Sequence, residues 1–260
     1  MAFAAYVDDS DAVQSSVITL AGYMASLIGW ERYEEHSRRI YDRFEIGDVL
    51  HAKEFHGTKP PFKTWTFAKK LTFLDLLFEN HPLQWGVAVS ISKKQFAAMK
   101  EHPAIGPNMS PFGLAFGSIL HTLVRGNPIG GIVQAEGLSV IVESGHRNSG
   151  DMERTFHHYK KHEMFSGALR TISFDDKNSA RALHLADLLA FYSRRHHSLE
   201  NANPSIIVPY GRMLKKLASK LPHSLKLLNT GGKPVKADPQ EAGDAQWFPV
   251  PLASRPQGAE

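Results

Sequence analysis

The chain contains no cysteine, which excludes a disulfide scaffold and any cysteine-ligated zinc or iron–sulfur centre, and fits a reducing compartment. It has no apolar run long enough to span a bilayer, and its first residues lack the basic and apolar segments of an export signal, so a cytoplasmic protein is expected. Also missing are a glycine-rich phosphate loop, a G-x-S-x-G nucleophile elbow and a dinucleotide fingerprint, which removes the common nucleotide-cofactor and serine-hydrolase chemistries. Charge is not concentrated in either sign. A net +4 over 260 residues is compatible with an acidic polymer as partner but falls short of the dense Lys/Arg stripe of a dedicated nucleic-acid binder.

What the chain does have is apolar material, 42% of its residues, enough for the core of one substantial domain. Strand-like runs at 3–7 and 15–23 predict a hairpin whose bend is Asp8-Asp9-Ser10-Asp11, and 85–91, 138–142 and 169–174 predict further strands. Helical spacing occurs over 29–44, stopped by Gly47, and over 66–80, 112–125, 149–163, 183–192 and 210–217, with a short helix from Lys93 capped by Ser92. Residues 49–55 read as extended, 58–62 as a proline loop and 127–137 as a turn-rich connection. Strands alternating with helices predict an α/β sheet with helices on its faces, in a single domain over 1–228. From Asn229 the composition turns to Gly, Pro, Lys, Asp and Gln, so a loosely ordered tail is expected over 229–260.

The most informative stretch is 173–197, S-F-D-D-K-N-S-A-R-A-L-H-L-A-D-L-L-A-F-Y-S-R-R-H-H. Between Leu183 and Tyr192 the only polar residues are His184 and Asp187, three apart and therefore on one helical face. A carboxylate buried there must be neutralised, paired, hydrogen-bonded or bound to a metal. Three strand-like runs end in acid: Val7 into Asp8-Asp9, Val142 into Glu143, and Phe174 into Asp175-Asp176. Functional residues of open α/β sheets gather at one edge of the strands, and carboxylates gathered there repel unless a hard divalent cation such as Mg²⁺ or Mn²⁺ joins them. Each acid also has a plainer reading. Asp8 to Asp11 reads as a solvated turn, Asp175-Asp176 as a helix-capping region, and Asp187 as the partner of Arg181 or Arg194. His51, Glu54 and His56 in H-A-K-E-F-H are metal-capable but lack the histidine spacing of a zinc-protease helix, which favours a substrate-side role for that segment.

At these residues the chain resembles the bacterial domain-of-unknown-function 3800 proteins. Their pattern combines an N-terminal apolar strand ending in D-E-S-G, a middle H-x-x-E-like segment and a late D-x-K-x-S…Q-x-A-D helix. The corresponding stretches are Y-V-D-D-S, H-A-K-E-F-H and D-D-K-N-S-A-R-A-L-H-L-A-D, spanning roughly Ala4 to Arg195. Asp9 stands in place of the usual Glu, Asp11 in place of Gly, and His184 in place of Gln. The resemblance implies a ribonuclease H-like mixed sheet flanked by helices. It also implies two divalent metals, Mg²⁺ or Mn²⁺, with Asp8, Glu143 and Asp187 as ligands. On this reading the chain is a metal-dependent nuclease hydrolysing phosphodiesters of nucleic acid. Asp9 and Asp176 are then further ligands, and Lys177 or His51 stands near the scissile phosphate. The rival expectation is a ribonuclease H-like module that binds nucleic acid or a protein partner without cutting.

Overall fold

The computed structural model describes residues 2–10, 15–57, 59–79, 82–100, 109–145, 148–198 and 204–228. The expected tail over 229–260 and Asp11 lie outside these residues. A six-stranded mixed sheet has the order β5-β4-β1-β2-β3-β6. Its strands are β1 (Phe3–Ser10), β2 (Val17–Ser26), β3 (Trp85–Ser92), β4 (Leu138–Glu143), β5 (Leu169–Asp175) and β6 (His223–Leu228). β2 pairs antiparallel with both β1 and β3, while β4 adds parallel to β1, β5 parallel to β4 and β6 parallel to β3.

Alternation along the strands divides the core in two. On β1, Phe3, Ala5 and Val7 face one side, and Ala4, Tyr6 and Asp8 the other. The first side is covered by α5 (Pro111–Val124) with α7 (Ser149–Lys161) beside it. The second is covered by α8 (Arg181–Ser198), which lies on β1 and β2 and is flanked by α1 (Leu27–Phe44), α3 (Phe67–Leu77) and α9 (Pro204–Ala218). Three short α-helices, α2 (Ala52–His56), α4 (Lys93–Met99) and α6 (Gly130–Glu136), and two 3-10 turns, Phe62–Thr64 and Glu163–Phe165, complete the described elements.

Several expectations hold closely. Ser92 caps α4 by accepting the Gln95 N–H at 3.4 Å, and Thr66 caps α3 through the Lys69 N–H at 3.1 Å. Others are corrected. Asp8 and Asp9 are not in a bend: β1 continues to Ser10 and pairs them with Ala21 and Leu20 of β2. Helix α1 ends before Gly47, at Glu45, whose left-handed backbone (φ 54°) turns its N–H back to the Asp42 and Tyr41 carbonyls. The segment expected to be extended at 49–55 contains helix α2, because Ala52 and Phe55, three apart, both bury on one helical face against the Trp65 and Phe73 cluster.

The turn-rich connection contains helix α6, where burial of Val133 outweighs two opening glycines. Asn127 organises its start, donating to the Thr122 and Leu123 carbonyls of α5 while accepting the Ile129 N–H at 3.0 Å. Gly137 then takes φ +90°, open to glycine, to pass from α6 into β4. Strand β6, at the sheet edge beside β3, had no counterpart among the expected elements.

Candidate functional site

Period-two alternation and strand register build the site. Asp8 shares its face with Ala4 and Tyr6, and Glu143 shares the same face with Ile141, so both acids point toward α8. The parallel pairing of β1 with β4 sets Val7 opposite Val142, which brings the next residues, Asp8 and Glu143, side by side. Asp187 arrives from α8 across that face. Lys177, in the turn between β5 and α8, reaches into the middle.

Its Nζ lies 2.9 Å from Asp8 Oδ2, 2.8 Å from Glu143 Oε1 and 3.3 Å from Asp187 Oδ2. The ammonium is 9% exposed and Asp8 only 1%, so these are ion pairs sheltered from water, where like charges left unpaired would be strongly destabilising. Burial works against the charge on Lys177, yet the Asp8, Asp187 and Glu143 carboxylates outweigh it and raise its pKa above the ordinary lysine value. Burial raises the pKa of Asp187, and the Lys177 charge and the Ala52 N–H, 2.9 Å from Oδ2, offset this only in part. One ammonium against three carboxylates leaves an excess of negative charge at the site.

His184 fixes the backbone of Lys177. It is fully buried, its Nε2 lies 2.8 Å from the Lys177 carbonyl, and its Nδ1 lies 2.8 Å from the Tyr41 hydroxyl. A carbonyl only accepts, so Nε2 carries the proton; the imidazole is then neutral, with Nδ1 accepting from Tyr41. Burial pushes the pKa of His184 down to about 4, and the Lys177 and Arg181 charges add to the shift, so this tautomer persists at neutral pH. The two polar residues of the apolar stretch of α8 therefore grip the same lysine, one by its main chain and one by its side chain.

The other expected residues occupy different places. Asp9 is half-buried and donates its N–H to Asp8 Oδ1 at 2.7 Å; ligand oxygens of Asp8, Asp9 and Glu143 lie within 4.8 Å of one another, a grouping able to hold a metal ion. Asp187 is outside that grouping. Asp176 is exposed and turned away from the focus, its Oδ1 accepting the Asn178 and Ser179 N–H groups at 2.7 and 3.1 Å. Asp175 accepts the Asp176 N–H and the Ser179 hydroxyl, so this pair shapes the turn that presents Lys177. His51 is exposed and precedes α2 without capping it; what its segment brings to the site is the Ala52 N–H on Asp187. Neither arginine considered for Asp187 is the observed partner. Arg181 pairs with Glu34 and Asp48, and Arg194 Nε donates to Ser10 Oγ at 2.8 Å.

Tyr41 and the Ala52 N–H were not anticipated. Tyr41 is spaced in the sequence only as one more apolar position of α1, and a backbone donor leaves no side-chain signal. Lys177 stood out by its place in D-D-K-N-S, but its position inside the carboxylates depends on how the turn folds.

Chemically, the ammonium is held by carboxylates from β1, β4 and α8, and the oxygens grouped closely enough for one metal ion are those of Asp8, Asp9 and Glu143. The donor set fits Mg²⁺ or Mn²⁺, which take oxygen ligands near 2.0–2.1 Å for Mg²⁺. An ion at that distance from the oxygens now held by Lys177 and the ammonium would exclude one another. Comparison of the sequence with protein-family models and with curated proteins finds no match.

Proposed function

We propose that this protein is a divalent-metal-dependent nuclease of ribonuclease H-like architecture, related to the bacterial domain-of-unknown-function 3800 proteins. The observation that carries the reading is the convergence of Asp8, Glu143 and Asp187, distant in the chain, on one cation position at the end of β1 and β4. The sheet supports it. An antiparallel β1-β2-β3 followed by parallel β4 and β5 beside β1 places an acid on the first strand, another on the fourth and a third on the late helix, the distribution the resemblance implies.

When bound, Mg²⁺ or Mn²⁺ would activate water and stabilise the leaving oxygen of a phosphodiester. Asp8 and Glu143 supply ligands from the rigid sheet and Asp187 from α8, while Asp9 offers a further carboxylate. The excess negative charge favours exchange of the Lys177 ammonium for a doubly charged ion. Lys177, held at its main chain by His184, then has an ammonium free to turn toward a substrate phosphate.

The test is cleavage of single- and double-stranded DNA and RNA with Mn²⁺, comparing wild type with Asp187→Asn, which keeps the side chain's shape but not its charge. Turnover should fall by orders of magnitude with the fold intact. An Asp187→Asn protein that cuts like wild type sinks the assigned role. Mn²⁺ should also raise the wild-type Tm and EDTA lower it, since an ion bound only by the folded state stabilises it.

A second reading, a non-catalytic module, is favoured by one observation: Lys177 already pairs with all three carboxylates, so the cluster can stand as a structural ion-pair network. Thermal scans that superimpose with and without Mn²⁺ would select it.

A further inference from the structure

A second charged cluster lies along α8 from the carboxylates, and its charge is of the opposite sign. Helix α2 connects the two: its first residue, Ala52, bonds Asp187, while its last, His56, stacks on Tyr210 of α9 at 4.3 Å between ring centroids and packs against Phe191 and Tyr192. Arg195 follows Asp187 by eight residues, about 12 Å along the helix and turned by about 80° toward α9. Its guanidinium sits over the rings of Phe191 (5.6 Å) and Tyr210 (5.8 Å), so its stem and orientation are held by aromatic packing. Among the described residues it makes no hydrogen bond and no ion pair, and its Nε is buried without an acceptor.

Lys70 meets His56 at its main chain. It is only 8% exposed, yet its Nζ reaches no carboxylate among the described residues; it meets the His56 and Gly57 carbonyls at 3.3 and 3.4 Å. An ammonium at carbonyl dipoles, with no carboxylate among the described residues paired to it, adds positive charge to the surroundings of His56, where the Arg195 charge also acts. His56 registers that field: burial, then the Lys70 and Arg195 charges, push its pKa down to about 4. The ring is thus neutral at physiological pH, and among the described residues no carboxylate pairs with either cation.

We infer that Arg195, backed by the Lys70 charge, is a phosphate-binding site that holds a polynucleotide strand about two turns of α8 away from the carboxylates. The inference rests on the nuclease reading for its substrate class. The guanidinium supplies planar, paired donors suited to phosphate oxygens, and its aromatic bed leaves little ordering cost on binding. A polyanion would be repelled by the negative excess around Lys177, and an anchoring cation beside the site offsets that repulsion.

The experiment measures binding of a labelled single-stranded oligonucleotide to the full chain in EDTA, across a salt series, so that cleavage plays no part. Arg195→Gln should weaken binding about tenfold and reduce the slope of log K against log [salt] by about 0.7, the share of one phosphate contact on a single strand. Arg195→Lys should keep most of the slope, and Lys70→Met should weaken binding in the same direction. Arg125→Ala, remote beside Gln134, His162 and Glu163, should change nothing. Circular dichroism verifies each fold, and Arg195→Met, which also removes the charge, replaces the glutamine variant if that one does not fold. Wild-type affinity and slope in both Arg195→Gln and Lys70→Met would overturn the inference, as would a wild type that binds no polynucleotide. The two proposals separate cleanly. Binding that depends on Arg195 in a protein that never cuts keeps this site and sinks the nuclease, whereas Mn²⁺-dependent cutting with Arg195-independent binding does the reverse.

Discussion

Helices α5 and α8 cover opposite faces of the same sheet, and both are buried along most of their length. They differ in where their polar groups find partners. In α5 the hydroxyls of Ser118 and Thr122 turn back onto the Leu114 and Ser118 carbonyls of their own helix, at 2.9 and 2.8 Å. In α8, His184 reaches Tyr41 and Lys177, Asp187 reaches Lys177 and Ala52, and Arg194 reaches Ser10. A buried polar group satisfied within its own helix needs nothing from the rest of the fold. One satisfied across elements ties distant chain segments together, and in this protein such groups lie at the acidic strand ends.

That contrast is open to direct tests. The largest effect belongs to Lys177→Met, which leaves buried carboxylates facing each other without a cation. Urea denaturation in EDTA at neutral pH should show a loss of about 3–5 kcal/mol, the range for breaking a buried ion pair. Mn²⁺ should restore more stability to this variant than it adds to wild type and should bind it more tightly, because the competing ammonium is gone. A variant as stable as wild type in EDTA would mean that the carboxylates are not in conflict and that the difference between the two faces is one of geometry alone.

Removal of His184 comes next. His184→Ala leaves the Tyr41 hydroxyl and the Lys177 carbonyl without their partner, at a cost of about 1–3 kcal/mol by the same denaturation measurement.

The histidine also sets a pH dependence. Its folded pKa, about 4, lies below the unfolded value near 6.5, so on acidification the unfolded chain takes up the proton first. Its contribution is complete above pH ~6.5 and is lost as pH falls toward about 4. His56 and His197, also pushed down to about 4, act in the same direction. Thermal unfolding from pH 7 to pH 5 should show a falling wild-type Tm, and the gap between wild type and His184→Gln should narrow over the same range. A gap that stays constant would mean that His184 does not enter the unfolded state's extra proton uptake.

The smallest effect is expected on the other face. Ser118→Ala and Thr122→Val should each change stability by no more than about 1 kcal/mol, since the carbonyls they bond belong to a helix that remains intact. Losses comparable with that of His184→Ala would erase the distinction between the helices.

The elements most legible in the sequence were those with strong local signals. Short apolar runs gave β1 to β5, and Ser92 marked the start of α4 by a mechanism confined to three residues. Elements lacking such signals were misread. Helix α2 is too short to show a period, α6 opens on two glycines, and β6 is an edge strand whose mixed sequence gains its place from β3. Among the acids, the separation came from neighbours rather than from type: Asp176 caps a turn in water, whereas Asp8 is buried beside a lysine.

The sequence by itself determined which residues share a face. A helix repeats every 3.6 residues, so His184 and Asp187 lie together, and side chains alternate along a strand, a rule that reaches Asp8 only because its pairing with Ala21 carries β1 past the expected bend. Only the tertiary structure decided that these faces meet. That required the register of Val7 with Val142, the placement of α8 across β1, and a turn shaped by Asp175, Asp176 and Ser179 that carries Lys177 into the centre. Local patterns follow from covalent geometry within a few residues. The choice of a cation for one buried and two half-buried carboxylates is a long-range electrostatic requirement, met by whichever positive group the packed chain brings there.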